Sequence, residues 1–318
     1  MRLTLGSKIG IVGAGLIGRA WAIVFARGGA LVAMFDPDPK AMAAAPGAIR
    51  AGLEALAGEG LLEEMPAAVF ARVDLANSLA QAVAEADYVQ ENTVETLEAK
   101  RHIFAELDRL AAAQTILASS TSNIPGSLFT EALAGRARCL VAHPVNPPHL
   151  VPLVELVPTR FSDPRVVSHA KELLEGVGQV PIVVDREIEG FILNRLQAAL
   201  LNEAFRLVED GYVSTEDIDK TIKEGLGLRW SFMGPFETID LNAPGGVRDY
   251  VRRYAASIHR LAQQQADPRV WKDSLVDRIE AERRRVLPAD KLAERAEWRD
   301  RRLAALIAHK RAQDKKYR

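Results

Sequence analysis

The chain has 318 residues, which is enough for two domains with a large buried core. Hydrophobic residues make up 48% of the chain, charged residues make up 26%, and the formal net charge is -1. These values are typical of a globular protein, and they favour neither a nucleic-acid partner nor a membrane partner. The single cysteine, Cys139, excludes an internal disulfide and any multi-cysteine metal site, and no metal is expected.

The first strand is predicted at Ile9–Val12, so we expect no signal peptide and a cytoplasmic protein. It runs into the turn Gly13-Ala14-Gly15-Leu16-Ile17-Gly18, and an amphipathic helix follows. In a turn of this kind the first glycine permits the bend, the second lets the backbone approach a pyrophosphate, and the third allows close helix packing. The sequence therefore predicts a dinucleotide site at Gly13, Gly15 and Gly18.

The second predicted strand, Leu31–Phe35, ends at Asp36. An acid at this spacing binds the adenosine ribose hydroxyls and repels a 2′-phosphate. Since no arginine follows directly, the pattern favours NAD over NADP.

Short apolar runs alternate with helical stretches as far as Asp185, which predicts a doubly wound, mostly parallel Rossmann sheet of the α/β class. Beyond Asp185 the pattern becomes helical. We therefore predict two domains, an NAD-binding domain at 1–186 and an all-helical domain for substrate binding and dimerisation at 187–318. The remaining strands are predicted at Tyr88–Gln90, Ile116–Ser119, Cys139–Ala142, Leu153–Val157 and Val180–Val184, with one more near Val73.

The C-terminal stretch from Trp271 onward is basic, with 15 basic and 9 acidic residues. Its charges alternate in sign at helical spacing, as expected for a solvated helix or a subunit contact. A nucleic-acid partner is therefore not expected.

His143 follows a predicted buried strand, and Glu155 lies twelve residues later in another apolar run. A carboxylate in such a run is costly to bury unless it is paired, and His143 is the natural partner. The pair predicts an imidazole that exchanges a proton with substrate. The alternative is a loop histidine and a glutamate that points to solvent.

Several longer motifs resemble the 3-hydroxyacyl-CoA dehydrogenase family, and within it the lambda-crystallin / L-gulonate 3-dehydrogenase branch. The resemblance covers essentially the whole chain. The matching segments are the glycine turn with Asp36, SSTSNIP (Ser119–Pro125), AHPVNPP, PLVELVP, GFILNRLQ (Gly190–Gln197) and RWSFMGPFETIDLNAPGG (Arg229–Gly246).

This resemblance implies NAD-dependent oxidation of a 3-hydroxyl group and assigns roles to individual residues. It places the catalytic groups of the family on Ser122, His143, Glu155 and Asn194. It implies that Ser122 and Asn194 also hold the reacting oxygen, and it implies a homodimer. The implied cofactor contacts outside the three glycines and Asp36 are Leu16, Ile17, Glu95, Lys100 and, near the nicotinamide, Asn146.

The substrate is expected to be a small hydroxy acid, L-gulonate in particular. The acyl-CoA branch of the family carries a lysine-rich helical region, whereas Ala51–Ala71 holds four glutamates and no lysine or arginine. An acidic surface repels the phosphates of CoA. Arg229 is the candidate partner for a substrate carboxylate. The alternatives are a short-chain 3-hydroxyacyl-CoA dehydrogenase and a crystallin-like structural or NAD-binding protein without activity.

Overall fold

A computed structural model describes residues 6–317 of the chain. An eight-stranded sheet organises the first part of the fold, in the order β3-β2-β1-β4-β5-β6-β7-β8. The strands are β1 Lys8–Val12, β2 Leu31–Phe35, β3 Val73–Leu75, β4 Tyr88–Glu91, β5 Ile116–Ser119, β6 Cys139–Pro144, β7 Leu153–Pro158 and β8 Val180–Val183.

Fourteen α-helices accompany these strands in the part of the chain that the structure describes, together with a π-helical segment at Thr221–Leu226. The helices are α1 Leu16–Arg27, α2 Pro39–Gly58, α3 Pro66–Phe70, α4 Leu79–Val83, α5 Leu97–Leu110, α6 Ser127–Thr130, α7 Pro164–Gly176, α8 Leu193–Glu209, α9 Thr215–Lys220, α10 Gly227–Trp230, α11 Pro235–Leu241, α12 Gly246–Gln265, α13 Asp273–Val286 and α14 Leu292–Lys316.

The predicted α/β class with a mostly parallel sheet and a helical C-terminal part is confirmed. Strands β1 to β6 pair in parallel, whereas β7 runs antiparallel to β6. Only residues 145–152 join β6 to β7, and a parallel crossover needs a dozen residues or more. The short connection therefore forces the antiparallel pairing, in which His143 lies directly opposite Glu155.

Apolar side chains bury both faces of the sheet. On one face the core includes Trp21 and Phe25 of α1, Leu53 of α2 and Leu173 of α7. The other face is covered by a second cluster that includes Phe104, Leu107, Phe129 and Phe191. With both faces covered, the central strands β1, β5 and β6 are buried almost throughout and read as apolar runs, which is why the sequence reveals them.

The chain forms two compact units. One contains the residues up to Arg195 together with those from Arg299 onward, and the other is Leu196–Trp298. In the first unit, Ala304 of the basic C-terminal stretch is buried, and Leu303 and Ile307 pack against the core beside it. These units are defined by packing alone, and the predicted division into functional domains at residue 186 stays a prediction. Within residues 6–317, no helix is both long and apolar enough to span a membrane.

Candidate active site

The glycine turn between β1 and α1 requires two of its glycines for steric reasons. Gly13 has φ of +98°, and a Cβ there would lie 2.7 Å from the carbonyl oxygen of Asn92. A Cβ on Gly18 would lie 1.8 Å from the carbonyl oxygen of Gly13. Neither position can therefore carry a side chain in this conformation.

Gly15 has a different function, since a Cβ on it would meet nothing within 4 Å. It faces open space at the N-terminus of α1 and offers no side chain to cap the helix. The backbone N–H groups and the positive end of the helix dipole therefore suit a pyrophosphate. Leu16 is 65% exposed beside this space, while Ile17 packs partly into the core.

Asp36 is fixed next to the turn by two backbone groups. Its Oδ2 accepts a hydrogen bond from Ala14 N–H at 2.7 Å, and its Oδ1 accepts one from Asp38 N–H at 2.8 Å. A carboxylate offers about four acceptor positions, so each oxygen can still accept a ribose hydroxyl. The glycine turn, the helix N-terminus and Asp36 together fit the NAD that the sequence predicts.

His143 and Glu155 form a buried hydrogen-bonded pair across strands β6 and β7. The distance from His143 Nδ1 to Glu155 Oε2 is 2.8 Å, and the two residues are 6% and 0% exposed. We predicted that His143 would follow its strand, but β6 continues through it because pairing with β7 extends the ladder. Side chains directly opposite on one sheet face are in contact range.

The other oxygen of Glu155 is held by the beginning of α8. Its Oε1 accepts hydrogen bonds from the backbone N–H groups of Ile192 and Leu193 at 2.8 and 2.9 Å. Gly190 and Phe191 precede them with φ of +74° and +48°, outside the range of an α-helix, so α8 begins only at Leu193. The Phe191 ring is buried 5.4 Å from the His143 ring.

Burial is the largest influence on the pKa of Glu155 and acts to raise it. The hydrogen bonds from His143, Leu193 and Ile192 together outweigh burial, so the pKa lies below its usual value. Because an ionised Glu155 can only accept, a neutral His143 carries its proton on Nδ1. This leaves the lone pair of Nε2 available to take a proton.

The backbone N–H and the backbone carbonyl of Ser122 are both hydrogen-bonded to side chains. Its N–H donates to Glu95 Oε1 at 2.8 Å, and its carbonyl accepts a hydrogen bond from Asn194 Nδ2 at 2.8 Å. Asn194 lies in the first turn of α8, next to the N–H groups that bind Glu155. The start of α8 therefore contacts both the His143–Glu155 pair and the Ser122 segment.

A buried polar network that the sequence did not reveal lies beneath Ser122. Its centre is Glu91, the last residue of β4, which contacts Lys100 of α5 and Ser119 of β5. Our predicted strand stopped one residue earlier, at Gln90. The available signal was a carboxylate at the end of an apolar run, with a lysine nine residues later.

Two further candidates take no part in the hydrogen bonds described above. Asn146 is exposed in the loop after β6, and its contact with the nicotinamide stays a prediction. Arg229 lies in the other unit, where α10 carries it with an exposed side chain.

Comparison with known proteins identifies the family. The model described as "3-hydroxyacyl-CoA dehydrogenase, NAD binding domain" matches residues 8–188, and the model of the C-terminal domain of the same family matches residues 190–286.

Individual relatives are similar over most of the chain. Lambda-crystallin of Oryctolagus cuniculus is 40% identical over 306 residues, which cover 95% of each chain. L-carnitine dehydrogenase of Oceanobacillus iheyensis is 37% identical over 252 residues, which cover 79% of this chain and 81% of the relative. Among solved structures, an NAD-dependent 5-formyl-3-hydroxy-2-methylpyridine 4-carboxylic acid 5-dehydrogenase is 27% identical with a TM-score of 0.79, covering 96% of this chain and 97% of that chain.

These matches confirm the resemblance found in the sequence motifs and agree with the glycine turn and Asp36. The chain belongs to the 3-hydroxyacyl-CoA dehydrogenase family, and it is an NAD-dependent dehydrogenase of that family.

Proposed function

We propose that this chain oxidises the 3-hydroxyl group of L-gulonate, or of a closely related small hydroxy acid, to a ketone. The observation that carries the proposal is the buried His143–Glu155 hydrogen bond, with the second oxygen of Glu155 fixed by two backbone N–H groups. This arrangement orients one imidazole and leaves Nε2 as a proton acceptor.

The proposed mechanism assigns one task to each group. His143 Nε2 takes the proton of the substrate hydroxyl, and Glu155 stabilises the imidazolium that forms. Ser122 and the side chain of Asn194 hold the oxygen as it becomes a carbonyl. A bound NAD would supply the acceptor for the hydride that leaves C3 of the substrate. The cofactor is proposed to contact Gly13, Gly15, Leu16, Ile17, Gly18, Asp36, Glu95, Lys100 and Asn146.

The negative charge on and near α2 favours a small hydroxy acid over an acyl-CoA as the substrate. Glu54, Glu59 and Glu63 are exposed on or near α2, while Glu64 is hydrogen-bonded to Arg72. Exposed carboxylates repel the phosphates of CoA at low and moderate salt. The single carboxylate of a sugar acid is proposed to pair with Arg229, whose guanidinium is exposed.

A substrate panel tests the proposal directly. NADH formation is measured with L-gulonate, 3-hydroxybutyrate, carnitine and 3-hydroxybutyryl-CoA at equal concentrations. We expect kcat/KM for L-gulonate to exceed the others by about tenfold or more, as expected when polar groups of the site pair with substrate hydroxyls. A higher value with 3-hydroxybutyryl-CoA would make the protein a short-chain 3-hydroxyacyl-CoA dehydrogenase. No turnover with any of the four, despite NAD binding, would favour the non-enzymatic alternative.

We also propose a homodimer, because α12 presents an uncovered apolar stripe. Although the structure describes all 20 residues of this helix, none of them is buried. The stripe has the alternating spacing of four and three residues that is typical of helix-to-helix packing. Its members, Val247, Val251, Tyr254, Ile258 and Leu261, are between 44% and 53% exposed.

The dimer predicts a mass in solution of about twice the 34.8 kDa of the chain, measured by light scattering. Ile258→Arg places a charge in the stripe and is expected to yield monomers. Gln263→Arg, on the opposite face of the same helix, is the matched control and should leave the dimer intact. A monomeric wild-type protein, or equal effects of the two changes, would contradict the proposal.

A further inference from the structure

A buried glutamine of β4, Gln90, is hydrogen-bonded at both ends of its amide group. It is 0% exposed, and its Oε1 accepts from the hydroxyl of Tyr88 at 2.6 Å. Its Nε2 donates to Ser120 Oγ at 2.7 Å and to the carbonyl oxygen of Ala142 at 3.2 Å. Because a carbonyl oxygen can only accept, the nitrogen of the amide must face Ala142. Burial raises the pKa of Tyr88, so its hydroxyl stays protonated and donates to Gln90.

Ser120 uses every hydrogen-bonding position of its hydroxyl group. It accepts from Gln90 Nε2 and from the ring N–H of Trp21, the latter at 3.0 Å. Since both of these groups can only donate, the hydroxyl proton of Ser120 is left for Asn92 Oδ1, which lies at 2.7 Å. We call this set of side chains the Gln90 network: Trp21, Tyr88, Gln90, Asn92 and Ser120.

Asn92 connects the Gln90 network to the glycine turn. Its backbone N–H donates to the carbonyl oxygen of Val12 at 2.7 Å, and its Nδ2 donates to the carbonyl oxygen of Gln90 at 2.8 Å. The carbonyl oxygen of Asn92 lies 2.7 Å from the position of a Cβ on Gly13, and Nδ2 lies 3.5 Å from that of a Cβ on Gly18. Asn92 therefore packs directly against the turn that is expected to hold the pyrophosphate.

The other end of the Gln90 network reaches the strand that carries His143. Ala142 immediately precedes His143 in β6, and its carbonyl oxygen is the second acceptor of Gln90 Nε2. Ser120 lies two residues before Ser122 in the chain. One buried amide thus joins β4 to the strand of the proposed proton acceptor and to the segment of the serine that is proposed to hold the reacting oxygen.

We propose that Gln90 is a positioning residue, which fixes the strand of His143 relative to the glycine turn by way of Ser120. A fully satisfied buried network rigidifies its surroundings and specifies one arrangement of them. An apolar side chain of similar volume would fill the same space but would not hold Ala142 in one position. The part of the proposal that concerns proton transfer rests on the proposed function, whereas the part that concerns the glycine turn does not.

The first test separates positioning from stability. Gln90→Leu removes the amide, Tyr88→Phe removes the hydroxyl that donates to it, and a third variant carries both changes. Gln90→Leu leaves the Tyr88 hydroxyl buried without its acceptor, and we expect it to lower the unfolding temperature by about 5 °C. The double variant has neither group, so we expect it to regain most of that loss. Unfolding temperatures are measured by calorimetry.

Turnover is not expected to follow stability in these variants. We expect kcat with the best substrate of the panel to fall about tenfold in Gln90→Leu and to stay as low in the double variant. KM for NAD should stay within about twofold of the wild type, because Ser120 can still donate to Asn92. Tyr88→Phe alone should keep the wild-type kcat, since Gln90 Nε2 retains both of its acceptors.

Recovery of kcat together with the unfolding temperature in the double variant would make Gln90 a purely structural residue and overturn the proposal. Gln81 is an exposed residue of α4, so Gln81→Leu is the matched control and should change neither quantity.

The second test concerns the glycine turn and needs no substrate. Ser120→Ala removes the hydroxyl proton that Asn92 accepts, and we expect NAD to bind about fivefold more weakly, as measured by titration calorimetry. Ser168→Ala, on the exposed side of α7, is the control and should leave the affinity unchanged. An unchanged NAD affinity in a folded Ser120→Ala protein overturns the proposal, even if the Gln90 variants do not fold.

A third measurement keeps the two proposals separate. If no panel substrate turns over, the proposed function fails, and the position of His143 is then followed through the NMR signal of its Nδ1–H, which His143→Gln identifies by removing it. We expect this signal to shift in Gln90→Leu and in the double variant but not in Tyr88→Phe. A signal that stays at the wild-type position in both Gln90 variants would overturn the positioning role.

Discussion

His143→Gln is expected to lower kcat about 10⁴-fold, at the upper end of what general acid–base catalysis contributes. Glutamine retains hydrogen-bonding groups of similar reach but has no nitrogen that accepts a proton near neutral pH. NAD affinity should remain nearly unchanged, because the glycine turn and Asp36 lie on β1, α1 and the end of β2. Steady-state kinetics and fluorescence titration of NAD measure the two effects separately.

His102→Gln is the matched control for this substitution. His102 is an exposed residue of α5, and its replacement should leave both kcat and NAD affinity at wild-type values. If His143→Gln kept more than about a tenth of the wild-type kcat, His143 would not be the group that takes the substrate proton.

Glu155→Gln is expected to lower kcat about 10³-fold while the fold is retained. The amide oxygen can still accept from the N–H groups of Ile192 and Leu193, so its NH₂ group then faces His143 Nδ1. That contact requires an unprotonated Nδ1 and places the proton on Nε2, which is the nitrogen that must accept from substrate. An imidazole held in the wrong tautomer is well placed but inactive.

The same substitution also has a predicted effect on stability against pH. Because folding depresses the pKa of Glu155 below its ordinary value of 4.5, the stabilisation from its hydrogen bonds is present above pH 4.5. It is lost as the pH falls through the folded-state pKa. The difference in unfolding temperature between the wild type and Glu155→Gln should therefore shrink below pH 4.5. A difference that stays constant down to about pH 3 would mean that folding does not depress the pKa of Glu155.

Local patterns made the sheet and the cofactor turn predictable. The central strands β1, β5 and β6 are buried almost throughout and read as apolar runs, and Gly18 lies close to Gly13 in the sequence because a side chain on Gly18 would meet the carbonyl oxygen of Gly13. The His143–Glu155 pair was also visible, because a carboxylate within LVELV needs a partner and the nearest candidate lies on the preceding strand. Whether Ser122, Asn194 and Arg229 act on substrate stays a prediction.

Features that depend on distant parts of the chain were missed. Glu91 of β4 contacts Lys100 of α5 and Ser119 of β5 only when these three elements have assembled. The hydrophobic periodicity of the sequence therefore does not predict this network. Phe191 adopts a left-handed backbone because its ring is buried and the next two N–H groups bind Glu155, and neither reason is local. Likewise, Leu303 and Ile307 pack against a core cluster that includes Ile9. These residues are far apart in the sequence, so a local pattern cannot predict the contact.

The antiparallel arrangement of β6 and β7 has a consequence for chain entropy. His143 and Glu155 are 12 residues apart, whereas 72 residues separate Ser122 from Asn194. Closing the longer loop costs about 1.6 kcal/mol more conformational entropy. The acid–base pair is thus a nearly local structure, encoded in one short hairpin, and it persists as long as that hairpin does. The contact between Ser122 and Asn194 instead depends on chain segments that meet only in the complete fold. We therefore expect partial unfolding to break this contact before it breaks the His143–Glu155 pair.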